Sequence, residues 1–293
     1  MFLTGFDDHR HTVRTQAGEV SYVEIGTGPA ALFVHGVATS AYLWHNLIPL
    51  LADTRRCVAI DLPLHGQSPA PSEHRLTVGA FAGTLAEVCE SLHLDQVDLV
   101  AHDTGGAIAQ VFAARHPELL RTLTLTNCET RDNIPPAAMA ATVEAARAGQ
   151  LAPAAPAVLA DPAAARAIFT TGYQDPQFLS AELVDAFLQP VMGTPAAAAR
   201  FQQLIAGLGP DDLLAAEPAL RALSVPTLIT WATDDDFFDL KWAHWLHDTI
   251  PGAGDPVEIA GGKLFFPHER AADLAPHILR HWATTDQGRP RGR

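Results

Sequence analysis

The chain has 293 residues, enough for one large α/β domain or a core with an insert, and its 48% hydrophobic content supplies a sizeable core. A net charge of −14, from 33 acidic and 19 basic residues, argues against nucleic acid or an anionic membrane as a partner and otherwise favours solubility. No run of about 18 apolar residues suggests a membrane span, and Met1 to Arg14 lacks the apolar segment of a secretory signal, so a cytoplasmic location is expected.

His11 to Thr15 and Val20 to Ile25 alternate as strands do, joined by a turn at Gln16-Ala17-Gly18. Gly26-Thr27-Gly28-Pro29 leads into the apolar run Ala30 to Val34, which reads as a buried strand ending at His35-Gly36. Tyr42 to Ala52 has helical spacing, Cys57 to Ile60 is a short apolar strand, and Leu76 to Leu92 is helical. Val97 to Ala101 reads as a strand, Ala107 to Arg115 as a helix and Leu123 to Thr126 as another strand. Short apolar strands alternating with helices predict an α/β fold with a mostly parallel sheet and right-handed crossovers.

From about Thr130 to Ala222 the chain turns Ala- and Pro-rich, with breaks at Pro135-Pro136, Pro153, Pro176 and Gly209-Pro210. Ile168-Phe169, Leu183-Val184 and Phe187-Leu188 still provide apolar faces, so this stretch reads as a helical lid. The expected division is a core of residues 1–129 and 223–293 with a lid of residues 130–222. Strand pattern resumes at Pro226 to Trp231, followed by a helix at Leu240 to Thr249 and a last strand at Val257 to Ile259. A helix from about Glu269 to Trp282 closes the pattern, and the polar tail after Ala283 is expected to fray. Cys57, Cys89 and Cys128 are widely spaced and form no CxxC pair, which suits buried free thiols in a reducing compartment.

The chemistry concentrates in Leu99-Val100-Ala101-His102-Asp103-Thr104-Gly105-Gly106-Ala107, a strand entering a small-residue turn and a helix. Asp103 stands at the apex where a G-x-S-x-G elbow would carry Ser, with Ala101 and Gly105 two positions away on either side. A carboxylate there can attack an electrophilic carbon or move a proton in a dry pocket. The simpler alternative is that Asp103 caps the following helix.

In order along the chain, His35-Gly36, Asp61-Leu-Pro-Leu-His65-Gly66-Gln-Ser68, the Asp103 elbow, a helical insert and Trp231-Ala-Thr-Asp-Asp235-Asp-Phe-Phe resemble the α/β-hydrolase superfamily. The likeness covers nearly the whole chain and is nearest to the Asp-nucleophile branch of epoxide hydrolases and dehalogenases. The resemblance implies Asp103 as nucleophile, the backbone N–H groups of Val37 and Thr104 as an oxyanion hole, and Asp235 as the acid that orients a histidine. It implies no metal and no cofactor. Asn127 or Glu129, after the strand ending at Thr126, is the alternative acid position.

The histidine itself departs from the pattern. Counting forward from Ile259, or back from Glu269-Arg270, places Leu264 where the base belongs, and Leu264 cannot carry a proton. His268, four residues on, is the nearest substitute, with a surface or capping role as the alternative. His102 should point away from Asp103 by strand alternation. His35, Tyr173, Trp231, Phe238 and Leu264 are candidates to line the substrate pocket. Thr104 follows the nucleophile where dehalogenases carry a halide-holding Trp, and Tyr173 is the single tyrosine in the lid, where epoxide hydrolases use tyrosines to protonate oxygen.

Three functions remain open on this reading. The first is a hydrolase acting on a small, mainly apolar molecule through an ester at Asp103, which needs a base. The second is a non-hydrolytic lyase, isomerase or cyclase that uses Asp103 as general acid or base. The third is a silent ligand-binding protein. The expected partner is a small-molecule substrate alone, and the sequence sets no oligomeric state.

Overall fold

The computed structural model describes residues 3–16 and 18–287. In chain order the elements are α1 (Leu3–Asp7), β1 (Arg10–Thr15), β2 (Gly18–Ile25), β3 (Ala30–Val34), β4 (Arg56–Ile60), α2 (Val78–Ser91), β5 (Val97–His102), α3 (Thr104–Arg115) and β6 (Leu120–Thr126). A helical run follows: α4 (Ala140–Arg147), α5 (Leu151–Ala160), α6 (Pro162–Thr170), α7 (Ala181–Met192), α8 (Pro195–Ala206) and α9 (Asp211–Leu220). β7 (Thr227–Ala232), α10 (Lys241–Thr249), β8 (Val257–Ile259), α11 (Phe266–Glu269) and α12 (Ala271–Gln287) complete it.

The described strands form one eight-stranded sheet ordered β1-β2-β4-β3-β5-β6-β7-β8. β1 and β2 pair antiparallel, as do β2 and β4, whereas β3 to β8 run parallel. Parallel strands need helical crossovers that cover both faces, and β5 accordingly buries all six of its residues. Asp98 lies within that strand and is compensated there. Its carboxylate accepts hydrogen bonds from Arg55 Nε at 2.7 Å, Arg121 Nη1 at 2.8 Å and Thr122 Oγ1 at 2.8 Å.

Two expectations need correction. Tyr42 to Ala52 is not one helix but two 3₁₀ turns, Ala41–Trp44 and Ile48–Leu50. Pro49 lacks an N–H and its ring crowds the preceding turn, which breaks an α-helix. The last helix is likewise two, interrupted at Arg270, and it continues past Ala283 to Gln287. The remainder of the expected frayed tail, 288–293, lies outside the described residues, as does Ala17 of the first turn.

Residues 127–226 carry helices and turns and no strand. Helices α4 to α8 pack on one another, whereas α9 packs against α3 of the sheet layer. The helices that cover the cavity therefore end with α8, and α9 returns to the core. Parallel strands present their C-terminal ends to one edge of the sheet, where open α/β folds place their sites. Here that edge carries the ends of β3, β5, β6 and β7.

Candidate active site

Asp103 sits at the junction of β5 and α3 with φ 54° and ψ −135°, a strained conformation for a residue with a side chain. Its N–H donates to Asn127 O at 2.9 Å, and its own carbonyl accepts from Gly106 N at 2.8 Å. Asp103 makes no helix-capping hydrogen bond with its side chain, so the simpler capping role does not apply. The backbone N–H groups of Thr104 and Val37 instead bear on the carboxylate and favour its charged form. The two proposed oxyanion donors and the elbow residue are thus brought together.

Glycine at two positions permits this approach. A Cβ at Gly36 would lie 2.0 Å from Asp103 Oδ2, and one at Gly105 would lie 2.4 Å from the carbonyl oxygens of both Val34 and His35. Because backbone carbonyl oxygens at the end of β3 cannot swing aside as a side chain can, Gly105→Ala is expected to destabilise the protein by about 1–3 kcal/mol, read in thermal unfolding.

Three acidic side chains gather at this edge. Asp103 is partly buried at the cavity, and its pKa is raised well above the ordinary aspartate value by burial first and by the Glu129 charge second. Glu129, just beyond β6, is 2% exposed, and burial pushes its pKa up to about 7. Its Oε1 accepts from Thr104 Oγ1 at 2.9 Å, whereas Oε2 has no hydrogen-bond partner among the described residues. Asp235, raised to about 6 by burial, is held by Asn127 Nδ2 at 2.6 Å and by Phe237 N–H at 2.9 Å. Asn127 also accepts from Ala232 N at 2.7 Å, so it ties the end of β6 to the end of β7.

The histidines do not join this group. His268 is buried on α11, its Nδ1 3.0 Å from Tyr173 Oη and its ring 4.8 Å from that of His45. Burial pushes its pKa down to about 3, so it stays neutral, and it does not border the cavity above Asp103. His102 turns away as strand alternation requires, with Nδ1 2.9 Å from Thr126 Oγ1 and its ring against Trp44 and Phe266. His35 accepts from Leu62 N–H at Nε2 (2.9 Å), so Nδ1–H donates to Gly36 O at 2.7 Å. It pins the loop that carries Val37 and does not face the cavity.

That cavity, about 340 Å³, is bordered by Asp103, Thr104, Glu129, Val37 and Leu264, under a mainly apolar roof from the helical insert. No His, Lys or Arg borders it among the described residues. Leu264 forms wall where the base was sought. Tyr173 does not border it, because its ring stacks behind Phe265 at 4.9 Å. Trp231 is buried in β7 and donates Nε1–H to Phe238 O at 2.9 Å, and Phe237 rather than Phe238 borders the cavity. Among the described residues, no cluster of His, Cys, Asp or Glu could hold a metal ion.

Glu129 is the group that sequence reasoning undervalued, naming it merely as an alternative acid position. The parallel register pairs His102 with Thr126, which sets the residues after β6 beside the elbow after β5. That adjacency was the available signal.

The α/β-hydrolase fold family model matches residues 29–262. An uncharacterised protein of Mycobacterium tuberculosis is 29% identical over 270 residues, covering 89% of this chain and 77% of its own length. A haloalkane dehalogenase of Mesorhizobium japonicum is 41% identical over 106 residues, 34% of this chain and 32% of its own. In three dimensions the epoxide hydrolase CorEH superimposes with a TM-score of 0.78 at 20% identity, covering 94% of this chain and 98% of the other, and so shares the fold. No helix among the described residues is long and apolar enough to cross a membrane.

Proposed function

The chain belongs to the α/β-hydrolase fold family, and on that basis we propose that it is an enzyme that attacks a small, uncharged, mainly apolar molecule through the Asp103 carboxylate. One observation carries this reading. Val37 and Thr104 border the same cavity as Asp103, and the loop that carries Val37 presses on the Asp103 carboxylate at Gly36, which sets the two N–H groups beside it. When water attacks an ester formed at Asp103, negative charge develops on that carboxyl group, and donors already aimed there stabilise it without reorganising. The kinship with haloalkane dehalogenases and epoxide hydrolases supports the same chemistry. The three free buried cysteines suit a reducing, cytoplasmic setting.

A second reading draws on Leu264. With no histidine on the cavity wall, Asp103 could serve as a proton carrier in an elimination or isomerisation, for which a raised carboxyl pKa is well suited. Single-turnover reactions in heavy-oxygen water separate the two, with small epoxides and haloalkanes as probes. Under the ester route, the label enters the Asp103 carboxyl group and appears in product on later turnovers. Product formation that leaves Asp103 unlabelled overturns that route.

A further inference from the structure

Glu129 borders the same cavity as Asp103, and one residue touches both carboxyl groups. Thr104 presents its N–H to Asp103 and donates its hydroxyl to Glu129 Oε1 at 2.9 Å, leaving Oε2 buried and without a partner among the described residues. A buried oxygen in that state is costly to the fold. A proton on Oε2, donated to a ligand, would remove the penalty. No cationic side chain borders the cavity, so two adjacent carboxylates cannot both carry charge cheaply and hold one proton between them. The two N–H groups favour charge on Asp103, which leaves the proton on Glu129. Burial raises both carboxyl groups, so the pair keeps a proton near neutral pH.

We infer that Glu129 performs both proton transfers for which the cavity holds no histidine or tyrosine, and that the substrate is a small uncharged epoxide. The inference rests on Asp103 being the nucleophile. In the first step the Asp103 carboxylate bonds to a ring carbon, the carbon–oxygen bond opens, and Glu129 gives its proton to the departing oxygen. In the second, water attacks the ester carbonyl carbon while the Glu129 carboxylate takes the water proton. The ester bond to the alcohol oxygen then breaks, and the departing alkoxide takes the proton that the new Asp103 carboxyl carries. A diol leaves, with Asp103 charged and Glu129 protonated as at the start. A halide suits this cavity poorly. It needs a positive or side-chain N–H clamp, whereas no Arg, Lys, His, Trp, Asn or Gln borders the cavity among the described residues and the carboxyl pair carries a negative charge; an epoxide oxygen needs the proton that Glu129 holds.

The test uses the full chain with styrene oxide, cyclohexene oxide and 1-bromobutane. Wild type should convert at least one epoxide to diol over many turnovers, and bromobutane should release halide no faster than with Asp103→Asn. Glu129→Gln, shown to be folded by circular dichroism, should lose about 10²–10⁴-fold in kcat/KM, with part retained in Glu129→Asp. Wild-type kcat/KM should fall above about pH 7 as Glu129 loses its proton, and that limb should vanish in Glu129→Gln. Wild-type turnover and pH profile in Glu129→Gln overturn the role of Glu129. No diol from either epoxide, or ready hydrolysis of bromobutane, overturns the substrate class. Turnover that survives Asp103→Asn is a different failure, that of the nucleophile.

Discussion

Asp103→Asn is expected to abolish turnover, by about 10⁴-fold or more, and to stabilise the folded protein increasingly as pH rises. Asparagine keeps the shape of the side chain, and its Oδ1 still accepts an N–H, but it cannot form the ester. The stability gain follows from proton linkage. In the unfolded chain an aspartate ionises near pH 4. In the fold, burial first and the neighbouring Glu129 and Asp235 after it raise the proton affinity of Asp103 above that. Across this window the native state binds a proton that the unfolded state has lost, so wild-type stability falls as pH rises. Glu129 and Asp235, raised to about 7 and 6, act in the same sense and remain in the variant.

The buried histidines act in the opposite sense. His35, lowered to about 4, and His65, His102 and His268, each lowered to about 3, cost stability as pH falls below about 6.5. They are common to both proteins and largely cancel in the difference. Unfolding of wild type and Asp103→Asn should therefore coincide near pH 4 and diverge towards pH 8, with the variant the more stable. Curves that stay parallel across that range would mean that Asp103 ionises in the fold as it does in the unfolded chain.

Leu264→His should restore a second base to the cavity. Leu264 forms wall beside Phe265, between β8 and α11, on the edge that also carries the Asp235 turn. An imidazole there would enter a pocket that already contains Asp103 and Glu129, whose negative charge favours its protonated form. Base catalysis contributes about 10²–10⁴-fold where geometry is good, and part of this should be recovered. In a Glu129→Gln background the added histidine is expected to raise ester breakdown at least about 10-fold, measured by the decay of labelled Asp103 ester in single turnover. An unchanged ester lifetime would mean that position 264 does not reach the attacking water.

Much of the architecture was legible in the chain because short-range chemistry governs it. Apolar runs such as Ala30 to Val34 and Val97 to Ala101 can satisfy both faces of a parallel strand only between helices, so element type and the parallel sheet follow from pattern. The elbow was equally readable, since Gly105 is required wherever the turn presses on the carbonyls of β3. The absence of histidine at position 264 was a matter of counting. Less legible were features set by packing. Pro49 split a helically spaced segment, and Tyr173 and His268 bonded to each other behind Phe265 instead of facing the cavity.

By itself, then, the sequence determined the α/β fold, the helical stretch between β6 and β7, the carboxylate at the end of β5 and a leucine at position 264, because each depends on local pattern and spacing. Only the tertiary structure decided which side chains share the cavity. Glu129 is 26 residues from Asp103 in sequence, and no periodicity links them. They meet because β5 and β6 pair in parallel register and end at the same edge, and Thr104 touches both carboxyl groups. Burial there, which no linear pattern reports, gives those carboxyl groups their unusual proton affinity.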